Sequence, residues 1–81
     1  MTKISKEDNV FLKALGKRIR DIRKEKGFTQ VELGDMIDME KPNMNRLEKG
    51  GTNPTILTLK KICIALGITL DYLLLDLQQN D

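Results

Sequence analysis

Apolar residues recur along this chain at the three- and four-residue spacing of amphipathic helices. The first such stretch predicts a helix over residues 8–26, and Gly27 supplies its stop signal. The apolar side of this helix consists of Phe11, Leu15, Ile19 and Ile22. Residues 1–10 are either an N-terminal extension or the start of the helix, and the pattern leaves both open.

The middle of the chain predicts two short helices. Thr29 followed by Glu32 is a capping box, which predicts a helix over residues 29–37. Its apolar side is Val31, Leu33, Met36 and Ile37. Pro42 is tolerated in a first helical turn and predicts a third helix, roughly over residues 41–49, with Met44 and Leu47 facing the core.

Two further helices are predicted near the end of the chain. Thr55 is an N-cap for a fourth helix that Gly67 closes, and Thr69 caps a fifth. The buried positions of the fourth helix are Leu59, Ile62, Cys63 and Leu66, and the fifth helix carries Leu70, Leu73, Leu74 and Leu77. No run alternates cleanly between apolar and polar residues, so we predict an all-α domain over residues 11–77 and a tail over 78–81.

Length and composition narrow the possible functions. A chain of 81 residues forms one core, so we expect no separate ligand-sensing domain. The single cysteine, Cys63, is interpreted as a buried small hydrophobe rather than a reactive thiol. No apolar run approaches the roughly 20 residues of a membrane span, and the first residues lack the apolar stretch of a signal peptide. We therefore expect a cytoplasmic protein without a membrane partner.

The formal net charge of +2 hides an uneven distribution of charges. Residues 13–26 contain two acids and seven bases, namely Lys13, Lys17, Arg18, Arg20, Arg23, Lys24 and Lys26. The end of the chain is acidic, and no base follows Lys61. This pattern suits a polyanionic partner, but a solvated helix face explains it equally well.

The second and third predicted helices are separated by a turn of a few residues, which is the spacing of a helix-turn-helix. In that motif the second helix enters the DNA major groove, which is about 12 Å wide. The polar positions of the third helix carry residue types that read such a groove: Lys41, Asn43, Asn45, Arg46 and Lys49.

Three ordered segments, LGKRIRDIRKEKGFTQVEL, NMNRLEKGGTNPTILTL and KKICIALGITLDYLL, resemble the Cro and phage-repressor type of helix-turn-helix regulators, also called XRE-like. The resemblance covers residues 15–74. It implies a lambda-repressor-like fold of four or five helices that binds double-stranded operator DNA as a symmetric homodimer.

The resemblance also implies roles for individual residues. It places Lys41, Pro42, Asn43 and Arg46 at the bases and Thr29, Gln30, Asn45, Lys49, Thr52 and Asn53 at the DNA backbone. Arg46 is suited to bidentate contact with guanine, whereas both asparagines can contact either phosphate or adenine. Arg23 and Glu48 correspond to a structural salt bridge.

The sequence departs from the family pattern in the helix-turn-helix. Gly34 replaces the usual alanine at a close helix approach, which costs about 1 kcal/mol of helix propensity. Asp38 stands where glycine is common and tolerates the left-handed conformation. Asp38 and Glu40 both need to point away from phosphate. Pro42 replaces a hydrogen-bonding reader with a rigid ring.

Helices four and five carry more apolar residues than so small a domain can bury. We expect an isologous dimer interface there, formed by Ile64, Tyr72, Leu75 and Leu77. Such a dimer sets two recognition helices about 34 Å apart, which predicts a palindromic operator.

Rival functions find less support in the sequence. The chain has no histidine, no phosphate-binding loop and no metal-ligand cluster, so we expect no enzyme activity, cofactor, metal or small-molecule ligand. RNA binding is disfavoured because stacking aromatics are missing. The main alternative is a protein-interaction module of the antitoxin or coactivator kind on the same fold.

Overall fold

The computed structural model describes residues 4–75 and Leu77; the predicted tail over 78–81 lies outside them. Within these residues the chain forms five helices and no strand. The helices are α1 (Lys6–Glu25), α2 (Gln30–Ile37), α3 (Lys41–Glu48), α4 (Ile56–Leu66) and α5 (Leu70–Leu73). The all-α fold is confirmed, and residues 6–10 belong to the first helix.

Side-chain caps determine where most of the helices begin. The Ser5 hydroxyl accepts from the Asp8 N–H at 3.1 Å and starts α1. The capping box of α2 is confirmed, because Thr29 Oγ1 accepts from the Glu32 N–H and Glu32 Oε1 accepts from the Thr29 N–H. Thr55 and Thr69 cap α4 and α5 as predicted. Helix α3 has no side-chain cap, and its first turn contains Pro42.

All five helices contribute to one hydrophobic core. Its buried members are Leu15, Ile19, Ile22, Leu33, Ile37, Met44, Leu47, Leu59, Ile62, Cys63, Leu66 and Leu73. Burial of Cys63 is confirmed, and desolvation raises the pKa of its thiol, which therefore stays protonated at neutral pH.

The predicted apolar sides of the helices differ from the buried sides at several places. Val31 and Met36 are exposed because α2 packs against α3 and α4 through Leu33, Gly34 and Ile37 only. Near the start of α1, Leu12 is buried and the predicted Phe11 is only half-buried. The short α5 ends at Leu73, so Leu74 and Leu77 pack on the core from beyond its end and remain half-buried.

Two glycines let backbone segments approach closely around the helix-turn-helix. A Cβ at Gly16 would lie 2.5 Å from the Leu47 carbonyl oxygen, so glycine is required where α1 crosses α3. A Cβ at Gly34 would collide with the Met39 carbonyl oxygen, so the alanine common in the family would need a shifted turn here. Asp38 adopts the expected left-handed conformation, with φ 60° and ψ 46°.

Arg18 connects α1 to α5. Its Nε donates to the Leu73 carbonyl at 3.0 Å, and its Nη2 donates to the Tyr72 carbonyl at 2.7 Å. The guanidinium carbon also lies 4.8 Å from the centroid of the Tyr72 ring. Arg18 thereby satisfies two carbonyls at the C-terminal end of α5, a helix of four residues with little stability of its own.

Replacement of Arg18 by methionine keeps the aliphatic stem but removes these donors. We expect the free energy of unfolding to fall by about 1 to 2 kcal/mol, because charged hydrogen bonds to two carbonyls are lost. Urea unfolding followed by circular dichroism measures this change. The control is Arg20→Met, which alters an exposed arginine two residues away, and an equal loss in both variants would contradict the role of Arg18.

Candidate nucleic-acid interface

Helix α3 has one buried and one exposed side. Met44, Leu47 and Glu48 are buried, and residues 38–40 form the turn that joins the helix to α2. The predicted DNA-contacting positions of this helix and its C-cap are all exposed: Lys41, Pro42, Asn43, Asn45, Arg46 and Lys49. These six positions include three bases and no acid, whereas the acids Asp38 and Glu40 of the turn are also exposed.

Arg46 and Asn43 contact each other on this surface. Arg46 Nη1 donates to Asn43 Oδ1 at 3.2 Å, a contact that is possible because residues three apart are neighbours on a helix surface. Asn43 thereby helps to orient the guanidinium. Its amide nitrogen still has both hydrogens free to donate, whereas one acceptor position is occupied.

A buried network holds the C-terminal end of α3 against α1 and α2. Arg23 donates to both Glu48 carboxylate oxygens, from Nε at 2.7 Å and from Nη2 at 3.0 Å. Arg23 Nη1 also donates to the Phe28 carbonyl at 2.7 Å. Gln30 Nε2 donates to Glu48 Oε1 at 3.0 Å, so the first residue of α2 joins the same carboxylate. Sequence reasoning missed this contact of Gln30.

The remaining residues assigned to the DNA backbone lie around α3. Thr29 is exposed, but its hydroxyl oxygen already accepts a hydrogen bond in the capping box and has only its proton to offer a phosphate. Gln30 is half-buried and keeps one amide hydrogen free. In the loop after α3, Thr52 is half-buried and Asn53 is exposed.

The four residues assigned to a dimer interface differ in exposure. Ile64 is 70% exposed, Leu75 53% and Tyr72 44%, which leaves apolar surface on α4 and around α5. Leu77 differs from the expectation because it is half-buried against the core of its own chain. Tyr72 is held by Arg18 and presents only part of its ring.

Other kinds of site find no support in the described part of the chain. Residues 4–75 and 77 contain no group of three or more residues that could hold a metal ion. No helix among these residues is long and apolar enough to cross a membrane. The hydrogen bond from Lys17 at 2.8 Å lowers the pKa of the Asp21 carboxyl, but this exposed pair lies on one helix and forms no cluster.

Residues 19–73 match the helix-turn-helix family. The chain is 35% identical over 57 residues to an uncharacterized helix-turn-helix transcriptional regulator, y4dJ, of Sinorhizobium fredii, covering 70% of this chain and 74% of that one. It is 37% identical over 54 residues to the immunity repressor of Bacillus phage phi105, covering 67% of this chain and 38% of the repressor. The chain spans 38% to 55% of several such relatives.

A solved structure shares this arrangement of helices. The restriction-modification controller protein C.AhdI from Aeromonas hydrophila is 27% identical and superposes with a TM-score of 0.73, covering 76% of this chain and 94% of the controller.

A double-mutant cycle tests the buried network. Glu48→Leu alone should lower the free energy of unfolding by about 3 to 5 kcal/mol, because the guanidinium of Arg23 remains buried without its counterion. Arg23→Met/Glu48→Leu should recover much of that loss, since an apolar pair removes both charges. Recovery stays incomplete because the Phe28 carbonyl loses its donor.

Thermal unfolding by circular dichroism measures each variant of this cycle. If the losses of the two single variants simply add in the double variant, the pair is energetically uncoupled and its role in holding α3 is refuted.

Proposed function

This chain belongs to the helix-turn-helix family of DNA-binding transcriptional regulators, and we propose that it binds a palindromic operator as a homodimer, with α3 in the major groove. The observation that carries the proposal is the exposed polar side of α3, held in a fixed orientation by the Arg23–Glu48 pair. A helix of eight residues is not stable alone, so the contacts of the Arg23–Glu48 pair keep α3 in one orientation for base recognition.

Arg46 is the principal base-reading residue in this proposal. Its guanidinium is exposed and hydrogen-bonded to Asn43, and it matches the O6 and N7 acceptors of guanine. Lys41 adds a point charge, and the Pro42 ring contacts a thymine methyl. Asn43 contributes mainly by orienting Arg46 and donates to a base with its amide.

The DNA backbone is contacted from both sides of α3. Gln30 donates its free amide hydrogen to a phosphate at the positive end of α2. The Thr29 hydroxyl, Asn45, Lys49 and the loop residues Thr52 and Asn53 complete this set. These contacts position the protein without reading sequence.

A two-fold dimer through α4 and α5 places its two copies of α3 in major-groove segments about one DNA turn apart. Ile64, Tyr72 and Leu75 supply the exposed apolar surface, and Leu77 borders it. Surface of this kind on a small domain favours association with a second copy. Regulation then occurs by operator occupancy rather than by catalysis, in line with relatives that are transcriptional regulators.

Selection of binding sites from a random duplex library tests sequence recognition. The parent protein should enrich a two-fold symmetric site, and Arg46→Ala should lose roughly 1 to 3 kcal/mol of preference for that site over random duplex, because the bidentate guanine contact is removed. Fluorescence anisotropy at two salt concentrations gives the dissociation constants for the selected site and for random duplex.

The control for this experiment is Lys60→Ala, which removes an exposed charge from α4. The proposal fails if the parent binds all duplexes equally or binds none. A protein-interaction module would give this result.

Ile64→Lys tests the dimer. We expect the dissociation constant of the dimer to rise by at least tenfold, because each copy loses an apolar side chain whose burial contributes about 1.5 to 3 kcal/mol. Sedimentation equilibrium measures this change. Met36→Lys is the matched control, since it alters an exposed apolar residue on α2, and a monomeric parent protein would contradict the interface.

A further inference from the structure

A basic cleft lies between α1, the start of α2 and α3. We use this name for a surface depression of about 540 Å³ with two facing rows of polar side chains. Helix α1 supplies Arg20 and Lys24, and α3 with its C-cap supplies Lys41, Asn45 and Lys49. Members of each row are four residues apart, so they follow one side of their helix.

The cations of this cleft form no ion pair with an acid of the described residues, although Arg20 and Lys24 interact at longer range with Asp21. Arg20, Lys24, Lys41 and Lys49 form no ion pair or side-chain hydrogen bond there. The acid that lines the cleft is Glu48, whose carboxylate already accepts from Arg23 and Gln30. Four like charges around one depression repel each other, and an anion between the rows relieves this repulsion.

The position of the cleft points to an extended anion. The α3 row runs along the side of the helix that adjoins α1, and it spans about 12 Å along the helix axis. Double-stranded DNA carries a charge about every 1.7 Å along its axis, so a strand beside α3 offers several phosphates over that length. Phe28 is half-buried, and the cleft has no exposed aromatic ring on which a nucleotide base could stack.

We propose that Arg20 and Lys24 of α1 form a phosphate clamp with Lys49, which seats the DNA backbone in the basic cleft beside the recognition helix. The clamp rests on the proposed DNA binding and assigns a binding role to α1, which otherwise serves as scaffold. Arg23 also contributes to the clamp. Its hydrogen bonds to Glu48 fix the distance between the row on α1 and the row on α3.

The test compares Arg20→Gln/Lys24→Gln with the parent on the selected operator and on random duplex over a range of salt concentrations. Each lost phosphate contact should reduce the slope of log affinity against log salt by about 0.9, so the double variant loses nearly two units. Affinity should fall by tens of fold at about 0.1 M salt, and by the same factor for both duplexes, because phosphates carry no sequence.

Two further variants separate charge from other effects. Arg20→Lys/Lys24→Arg keeps both charges and should retain the parent's salt slope. Lys6→Gln/Lys60→Gln removes two exposed charges, and Lys6 lies about 21 Å along α1 from Arg20, so it should also keep the slope.

The outcomes distinguish the clamp from the function on which it rests. An unchanged slope in Arg20→Gln/Lys24→Gln, with a parent that still selects an operator, overturns the clamp alone. An equal slope loss in Lys6→Gln/Lys60→Gln overturns it as well, because net charge then explains the effect. A parent that binds neither duplex overturns both proposals.

Discussion

The buried contact between Arg23 and Glu48 is the constraint on which the proposed DNA-binding surface depends. Burial removes both charges from water, and this cost is offset by direct hydrogen bonds together with those to Phe28 and from Gln30. The four residues belong to α1, the following loop, α2 and α3. One carboxylate therefore fixes the mutual positions of three helices, whereas apolar packing alone would tolerate small rotations of a short helix.

The local sequence determines the helices, and long-range contacts determine their placement. Helices α2 and α3 have eight residues each, too few for stability in isolation. Their caps and Pro42 set where they begin, while Leu33, Met44 and Leu47 attach them to the core. Gly16 then lets α1 approach the end of α3 more closely than any other residue would allow.

Much of this arrangement was predictable from the sequence because its signals are local. The capping box at Thr29 and the three- and four-residue spacing of apolar residues in α4 act within one or two helical turns. The pattern places Val31 and Met36 on the apolar side of α2, but both are exposed. A short helix that buries only a narrow stripe can leave other apolar residues in solvent. The contact of Arg18 with Leu73 spans 55 residues and has no local signature. Likewise, the bases of α1 form a charged run in the sequence, but only the fold shows which of them lie beside α3.

Helix α3 is attached to the domain by few buried residues, which affects how easily its exposed surface can change by mutation. Only Met44, Leu47 and Glu48 of this helix are buried, and the other five residues project into solvent. Apart from Pro42, which starts the helix, these positions tolerate substitution without loss of the fold as long as helix propensity is kept. If α3 reads DNA as proposed, a new target preference requires substitution only at sites that carry little of the stability of the domain.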